Sequence, residues 1–175
     1  MNLCGDIIML YLKETNYEDI EKEYLFVRDM PIDENGVTNE WHDISREDFE
    51  ENAIVQMIAF AKGENLPEGY VPESFLFLWN DDEIVGQFRI RHYLCESLRT
   101  GAGHIGYFIK KEFRGKGYGT EGLKQTLQIA KNIVLEDEIF LRVNKDNPAS
   151  LKVMLHNGGY IIHEDEFKYY VRIRK

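Results

Sequence analysis

Little in this chain could staple or anchor it. It has two cysteines, Cys4 and Cys95, far apart in the sequence. They form neither a disulfide framework nor a metal-ligand pair, so free thiols in a reducing cytoplasm are the expectation. No apolar run reaches the roughly 18 residues that cross a bilayer, so no membrane partner is expected. The first residues include Cys4 and Asp6, lack a basic stretch, and do not read as a secretion signal. The histidines show no metal spacing, so no metal is expected either. Basic side chains are scarce at the front: the first hundred residues hold 8 Lys and Arg against 22 Asp and Glu. That balance excludes a nucleic-acid surface there. Repeats, low-complexity tracts and long linkers are absent too. The 175 residues therefore read as a single domain over 1–175, long enough to bury a core without staples.

The charge is unevenly spread. Net charge is −10, yet residues 101–175 carry 13 basic against 9 acidic side chains. The pattern suggests an anion taken in the back half and a cation in the front half. Solvated helix faces account for many of the acids on the plainer reading.

Hydrophobic periodicity orders the elements. Asp6 to Leu12 reads as a strand. Tyr17 to Arg28 reads as a helix on Tyr17, Ile20, Tyr24 and Val27. Pro31 to Gly36 breaks it, in a loop running to Ile44. Ser45-Arg46-Glu47-Asp48 fits a capping box opening a second helix, whose buried stripe is Phe49, Ala53, Met57 and Phe60. Phe75 to Trp79 and Ile84 to Tyr93 predict an antiparallel hairpin. Leu94 to Gly101 predicts a turn or loop. A fourth strand follows at His104 to Lys110, a helix at Gly117 to Lys131, and a fifth strand at Ile139 to Val143. A short helix is expected from Pro148 to His156, with proline in its first turn and Asn157-Gly158-Gly159 after its end. Tyr160 to His163 and Tyr169 to Ile173 complete a mixed α/β chain.

The segment that carries chemistry runs from Phe108 to Thr120. It passes from a strand, through Arg114-Gly115-Lys116-Gly117-Tyr118-Gly119, into a helix. Glycines let the backbone approach a ligand, and a helix N-terminus supplies unpaired N–H groups with a positive dipole end. That combination suits phosphate. Lys110, Lys111, Arg114 and Lys116 add charge, opposed only by Glu112. A Walker A loop needs Gly-Lys-Ser/Thr, and here Gly117 follows Gly115-Lys116. Gly117-Tyr118-Gly119-Thr120-Glu121-Gly122 matches the dinucleotide fingerprint as a string, but it lies seven residues past Lys110, without a βαβ unit. The third form, Arg-x-x-Gly-x-Gly, fits.

That motif, with its strand, its helix and Asn144-Lys145-Asp146-Asn147-Pro148-Ala149-Ser150 after the fifth strand, resembles the GNAT superfamily of N-acetyltransferases. The order of elements matches along almost the whole chain. The resemblance implies a mixed, mostly antiparallel sheet of about seven strands flanked by about four helices, with the fourth and fifth strands splayed. It implies acetyl-CoA as cofactor, its pantetheine arm paired with main chain of Phe108, Ile109 and Lys110. The pyrophosphate would rest on amides of Gly115, Lys116, Gly117, Tyr118, Gly119 and Thr120, with Arg114 and Lys116 adding charge. Asn147 would bond the arm or the phosphates, and Ser150 could assist.

For the chemistry the family implies direct attack by an amine in a ternary complex. Many relatives place a tyrosine acid where this chain has Met154. His104 stands where some relatives have a base, and its structural alternative is a strand-end hydrogen bond. Tyr107 could protonate the thiolate if it faces the gap; otherwise it is a core or rim aromatic. Trp41, His42 and the acids around them would shape the pocket for a small-molecule or peptide amine, the acids favouring a cationic one. A homodimer is expected by analogy. An acyl-CoA sensor without turnover, or transfer of another acyl group, are the alternatives.

Overall fold

The computed structural model describes residues 9–175. Among these residues nine strands, in three sheets, replace the expected seven. β1 (Leu10–Glu14), β4 (Glu73–Asn80), β5 (Glu83–Arg91) and β6 (Ile105–Ile109) form one antiparallel sheet in the order β1-β4-β5-β6. β7 (Glu138–Asn144), β9 (Lys168–Arg174) and β8 (Tyr160–Glu164) form a second, in the order β7-β9-β8. The extra pair is a small hairpin, β2 (Asp33–Glu34) and β3 (Val37–Thr38). It lies inside the segment read as a loop. Asn35 and Gly36 turn it with φ of 57° and 81°, the two positive values that a type I′ hairpin requires.

The sheet is covered on both faces, and its strand β4 is apolar on both. In β4, Phe75, Phe77 and Trp79 face one side, with Phe26, Phe49, Ile54 and Met57 from α1 (Ile20–Asp29), α3 (Ile54–Ala61) and the π-turn before it. Leu76 and Leu78 face the other, under Leu123, Leu127 and Ala130 of the long helix and Met154 of the last one. This period-two split of a continuous apolar run is what a doubly covered strand demands. The second expected helix begins at Ser45, whose Oγ accepts from the Asp48 N–H at 3.0 Å in the first turn of α2 (Arg46–Asp48). Its box is closed by the hydroxyl: Ser45 Oγ donates to the Asp48 carboxylate at 2.8 Å. Residues 94–101, expected as a turn or loop, include a short helix, α4 (Glu96–Thr100). The first strand is shifted toward the C-terminus relative to its expected span, and residues 6–8 of that span lie outside the described residues.

The expected fourth and fifth strands are β6 and β7, and they share no ladder. They meet only at one end. The His104 N–H donates to the Phe140 carbonyl at 2.7 Å, and the Phe140 N–H donates to His104 Nδ1 at 2.8 Å. Gly103, at φ 70°, makes this approach possible: a Cβ there would stand 2.3 Å from the Phe140 oxygen. From that closed end the strands diverge toward Ile109 and Asn144. α5 (Tyr118–Ile133) and α6 (Pro148–His156) pack beneath the gap. α5 lies close on the sheet because Gly122 has no side chain; its Cβ would meet Phe88 Cζ at 2.4 Å.

Candidate active site

A cleft of about 530 Å³ follows the divergence of β6 from β7. At one end lies the glycine turn. Gly115 and Gly117 hold φ of 73° and 83°, and a Cβ on either would meet nothing within 4 Å. Both conformations lie in the left-handed region, which favours glycine, and both leave the turn open to a ligand. Gly117 caps α5, and the next hydrogen bond into the helix is Glu121 N–H to the Gly117 carbonyl at 3.0 Å. The amides of Gly115, Lys116, Gly117, Tyr118, Gly119 and Thr120 have no acceptor among the described residues. Six successive unsatisfied donors at a helix N-terminus form a cradle for an oxyanion.

The charge around this cradle is partly spoken for. Arg114 donates Nη1 and Nη2 to the two Glu34 carboxylate oxygens at 2.9 and 2.7 Å, and Nε to the Ile109 carbonyl at 2.8 Å. Glu34 belongs to the β2–β3 hairpin, which thus closes over the cleft mouth. Its carboxyl lies below the usual range, chiefly because Arg114 hydrogen-bonds it. Lys110 points to Glu83 at 3.2 Å, away from the turn. Lys116 lies near the Phe113 ring and does not line the cleft. Lys152 of α6 does line it. Nothing in the residue pattern around Pro148 marks that lysine, whereas the hairpin could have been read from Asn35-Gly36.

Main-chain polarity along β6 can be read from its register with β5. Lys110 N–H donates to Val85 at 2.9 Å and Arg91 N–H to His104 at 2.8 Å. Hydrogen-bonded pairs alternate in an antiparallel ladder. Phe108 and Lys110 therefore turn their main-chain groups to β5, and those of Tyr107 and Ile109 point to the open gap. Of the three residues expected to pair with pantetheine, Ile109 alone offers main chain there. Tyr107 takes the place of the other two.

α6 closes the far wall. Asn147 caps it, its Oδ1 accepting from the Ser150 N–H at 3.1 Å, which leaves its side-chain NH2 without an acceptor among the described residues. Ser150 Oγ lies 2.6 Å from Tyr107 Oη, so these side chains bridge β6 and α6 across the gap. Tyr107 stacks on Phe88 at 5.3 Å, lines the cleft, and burial pushes its hydroxyl up to about 12. At neutral pH that hydroxyl is protonated. Met154, buried to 2% exposure, lines the cleft as an apolar wall.

His104 stands elsewhere. It is fully buried, Nδ1 accepts from Phe140, Nε2 contacts the Glu136 carboxylate at 3.0 Å, and it does not line the cleft. Burial pushes its pKa down, the Glu136 hydrogen bond only partly opposing that. Both nitrogens are committed, so the expectation of a base at His104 gives way to its structural alternative.

Trp41 and His42 do not line the cleft either. Trp41 packs on Phe75 at 5.6 Å, and His42 Nδ1 faces the Met30 carbonyl at 2.9 Å. Thr38, Arg89, Arg91 and Arg142 line the inner end, and Glu34, already paired with Arg114, is the single carboxylate on the lining among the described residues. That charge runs against the expectation of a pocket built for a cationic amine. No group of three or more metal-ligating side chains occurs among the described residues, and no helix among them is long and apolar enough to cross a membrane.

Residues 10–159 match the family model of the acetyltransferase (GNAT) domain. Solved structures of similar fold include the Campylobacter jejuni N-acetyltransferase PseH in complex with acetyl coenzyme A, at 19% identity. The match covers 95% of this chain and 99% of that one, with a TM-score of 0.57. The ribosomal-protein-S5-alanine acetyltransferase from Vibrio fischeri matches at 17% identity over 94% and 92% of the two chains, TM-score 0.68. Mycobacterium smegmatis RimJ in complex with CoA-disulfide matches at 20% over 94% and 81%, TM-score 0.64. At these identities the likeness is one of fold. Among curated proteins no match is found.

Proposed function

The chain belongs to the GNAT acetyltransferase family, and on that premise we propose that it moves an acetyl group from acetyl-CoA to a primary amine by direct attack in a ternary complex. The observation that carries this is the run of six acceptor-free amides, 115–120, opening on a cleft that continues into the gap between β6 and β7. Acetyl-CoA fits such a shape: a diphosphate at the helix terminus, an extended arm along an open strand edge, and a thioester toward the closed end. Its bound thioester supplies an activated acetyl group.

The chain's own residues then have separable tasks. The amides of Gly115 to Thr120 hold the diphosphate without needing a cation, since Arg114 is already paired with Glu34. The N–H of Ile109, whose carbonyl already accepts from Arg114, and the main chain of Tyr107 pair with the arm as an added strand would. The Asn147 side-chain NH2 donates to it from the opposite wall. The Tyr107 hydroxyl, held protonated by burial, gives its proton to the departing thiolate and can recover one through Ser150 Oγ. It thereby fills the role that Met154 cannot. His104 and Glu136 position the closed end of the gap, and the oriented main chain there polarises the reacting carbonyl. Residues 1–175 work as a single domain in the cytoplasm, where Cys95 stays a free thiol.

The test is calorimetric titration of acetyl-CoA followed by thiol release over a panel of amines. Binding with release on at least one amine supports the proposal. Absence of acetyl-CoA binding overturns it, and binding without release on any amine would make the chain an acyl-CoA sensor.

A further inference from the structure

The inner end of the cleft carries more positive charge than the proposed cofactor accounts for. Arg89 and Arg91 stand side by side in β5 on the sheet face turned away from α5 and α6. Arg142 reaches the same space from β7, whose Ile139, Leu141 and Val143 point to the opposite face. All three side chains line the cleft.

Their existing partners do not use up this charge. Arg89 is 8% exposed, lies over the Phe75 ring at 4.7 Å and donates Nη1 to the Thr38 carbonyl at 3.3 Å, while its Nε faces Glu73 without a hydrogen bond. Arg91 donates to the Gly103 carbonyl at 3.2 Å. One largely buried carboxylate, Glu73, sits behind both, 3.7 Å from Arg89 and 3.4 Å from Arg91. Glu40, 3.6 Å from Arg89, is half exposed. Arg142 makes no hydrogen bond or ion pair among the described residues. Arg89 and Arg91 thus share one largely buried carboxylate, and the cleft-lining Arg142 has no partner among the described residues, so the cluster carries net positive charge that an oxyanion would balance.

Position separates this cluster from the phosphate turn. Arg89 is the register partner of Gly106, one residue before Tyr107, and Arg91 lies beside His104 at the closed end. Gly115 to Thr120 stand at the other end of β6. A cofactor diphosphate held there cannot also reach the inner arginines. Gly106 adds room at this point, because a Cβ on it would meet nothing within 4 Å.

We propose that the acceptor carries an oxyanion, a carboxylate or a phosphate, a few bonds from its amine, and that Arg142, Arg91 and Arg89 receive it. This rests on the transferase reading. It also addresses a gap in that reading, since among the described residues no free carboxylate or histidine lines the cleft to deprotonate the amine. Three guanidinium groups close to an ammonium favour its neutral form, the form that attacks. The arginines would thus select the acceptor and help ready it.

The experiment uses matched probes on the full chain saturated with CoA, so that no turnover is needed. Glycine is compared with glycinamide, and 2-aminoethyl phosphate with 2-aminoethanol, each pair titrated by calorimetry. The expected result is at least roughly tenfold tighter binding of the anionic member in one pair, and the winning pair tells carboxylate from phosphate. Arg142→Gln, which breaks no hydrogen bond or ion pair among the described residues, should lower that preference by roughly tenfold, and Arg142→Lys should restore part of it. Equal affinity within both pairs, tighter binding of the uncharged members, or an Arg142→Gln preference like that of the wild type would overturn the proposal. Acetyl-CoA titrated alone reads the parent proposal separately.

Discussion

Replacing Gly117 isolates the electrostatic part of cofactor binding. The residue sits at φ 83°, and an added Cβ meets nothing within 4 Å. Asn and Asp both tolerate the left-handed region, so each should cost only about 1 kcal/mol of folding stability. The two side chains match in shape and differ by one negative charge. A carboxylate about 5 Å from a bound phosphate, at an effective dielectric of about 20–40, repels it by about 2–3 kcal/mol. Gly117→Asp should therefore bind acetyl-CoA about 30- to 150-fold more weakly than Gly117→Asn. Calorimetry gives the affinities, and urea melts check that both variants fold alike. Asp and Asn variants within about threefold of each other would refute the placement of the diphosphate at this turn.

Gly103→Ala forces a Cβ to within 2.3 Å of the Phe140 oxygen at φ 70°; with strain and two cross-strand bonds lost, it should cost about 3 kcal/mol in denaturant melts. Tyr107→Phe should lower kcat about a hundredfold with little change in the KM for acetyl-CoA. Because burial holds that hydroxyl near 12, it should add no basic limb to the rate profile below pH 10. Glu23 is buried, and desolvation raises its carboxyl from 4.5 to about 7, so its folded value lies above its unfolded one. Its stability contribution is fully present below pH 4.5 and is lost as pH rises through 7. Glu23→Gln should remove that slope, gaining about 3 kcal/mol relative to wild type at pH 8 in paired melts.

The cofactor end was the part most legible in the residues. A run such as Arg114-Gly115-Lys116-Gly117-Tyr118-Gly119 between strand and helix constrains the backbone so tightly that chemistry follows from local pattern. Period-two patterning likewise places β4 and β5, and proline with the Asn157-Gly158 stop bounds α6 at Pro148–His156. Tertiary facts were harder to see. Which of Tyr107, Phe108 and Ile109 faces the gap depends on the register with β5, and a shift of one residue inverts the answer. The commitment of both His104 nitrogens depends on Phe140 and Glu136, more than 30 positions away. The acids of the front half suggested a cationic acceptor because composition ignores direction. In the fold most of them face solvent or lie behind the arginines, and Arg89, Arg91 and Arg142 come from two strands more than 50 residues apart.

Amide hydrogen exchange across residues 115–120 tests the central claim most directly. These N–H groups have no acceptor within the described protein, so they should exchange fast in the free chain and slow markedly when acetyl-CoA is added. Pantetheine, which lacks the diphosphate, should leave them fast. Unchanged exchange at those amides in a chain that binds acetyl-CoA by calorimetry would contradict the account.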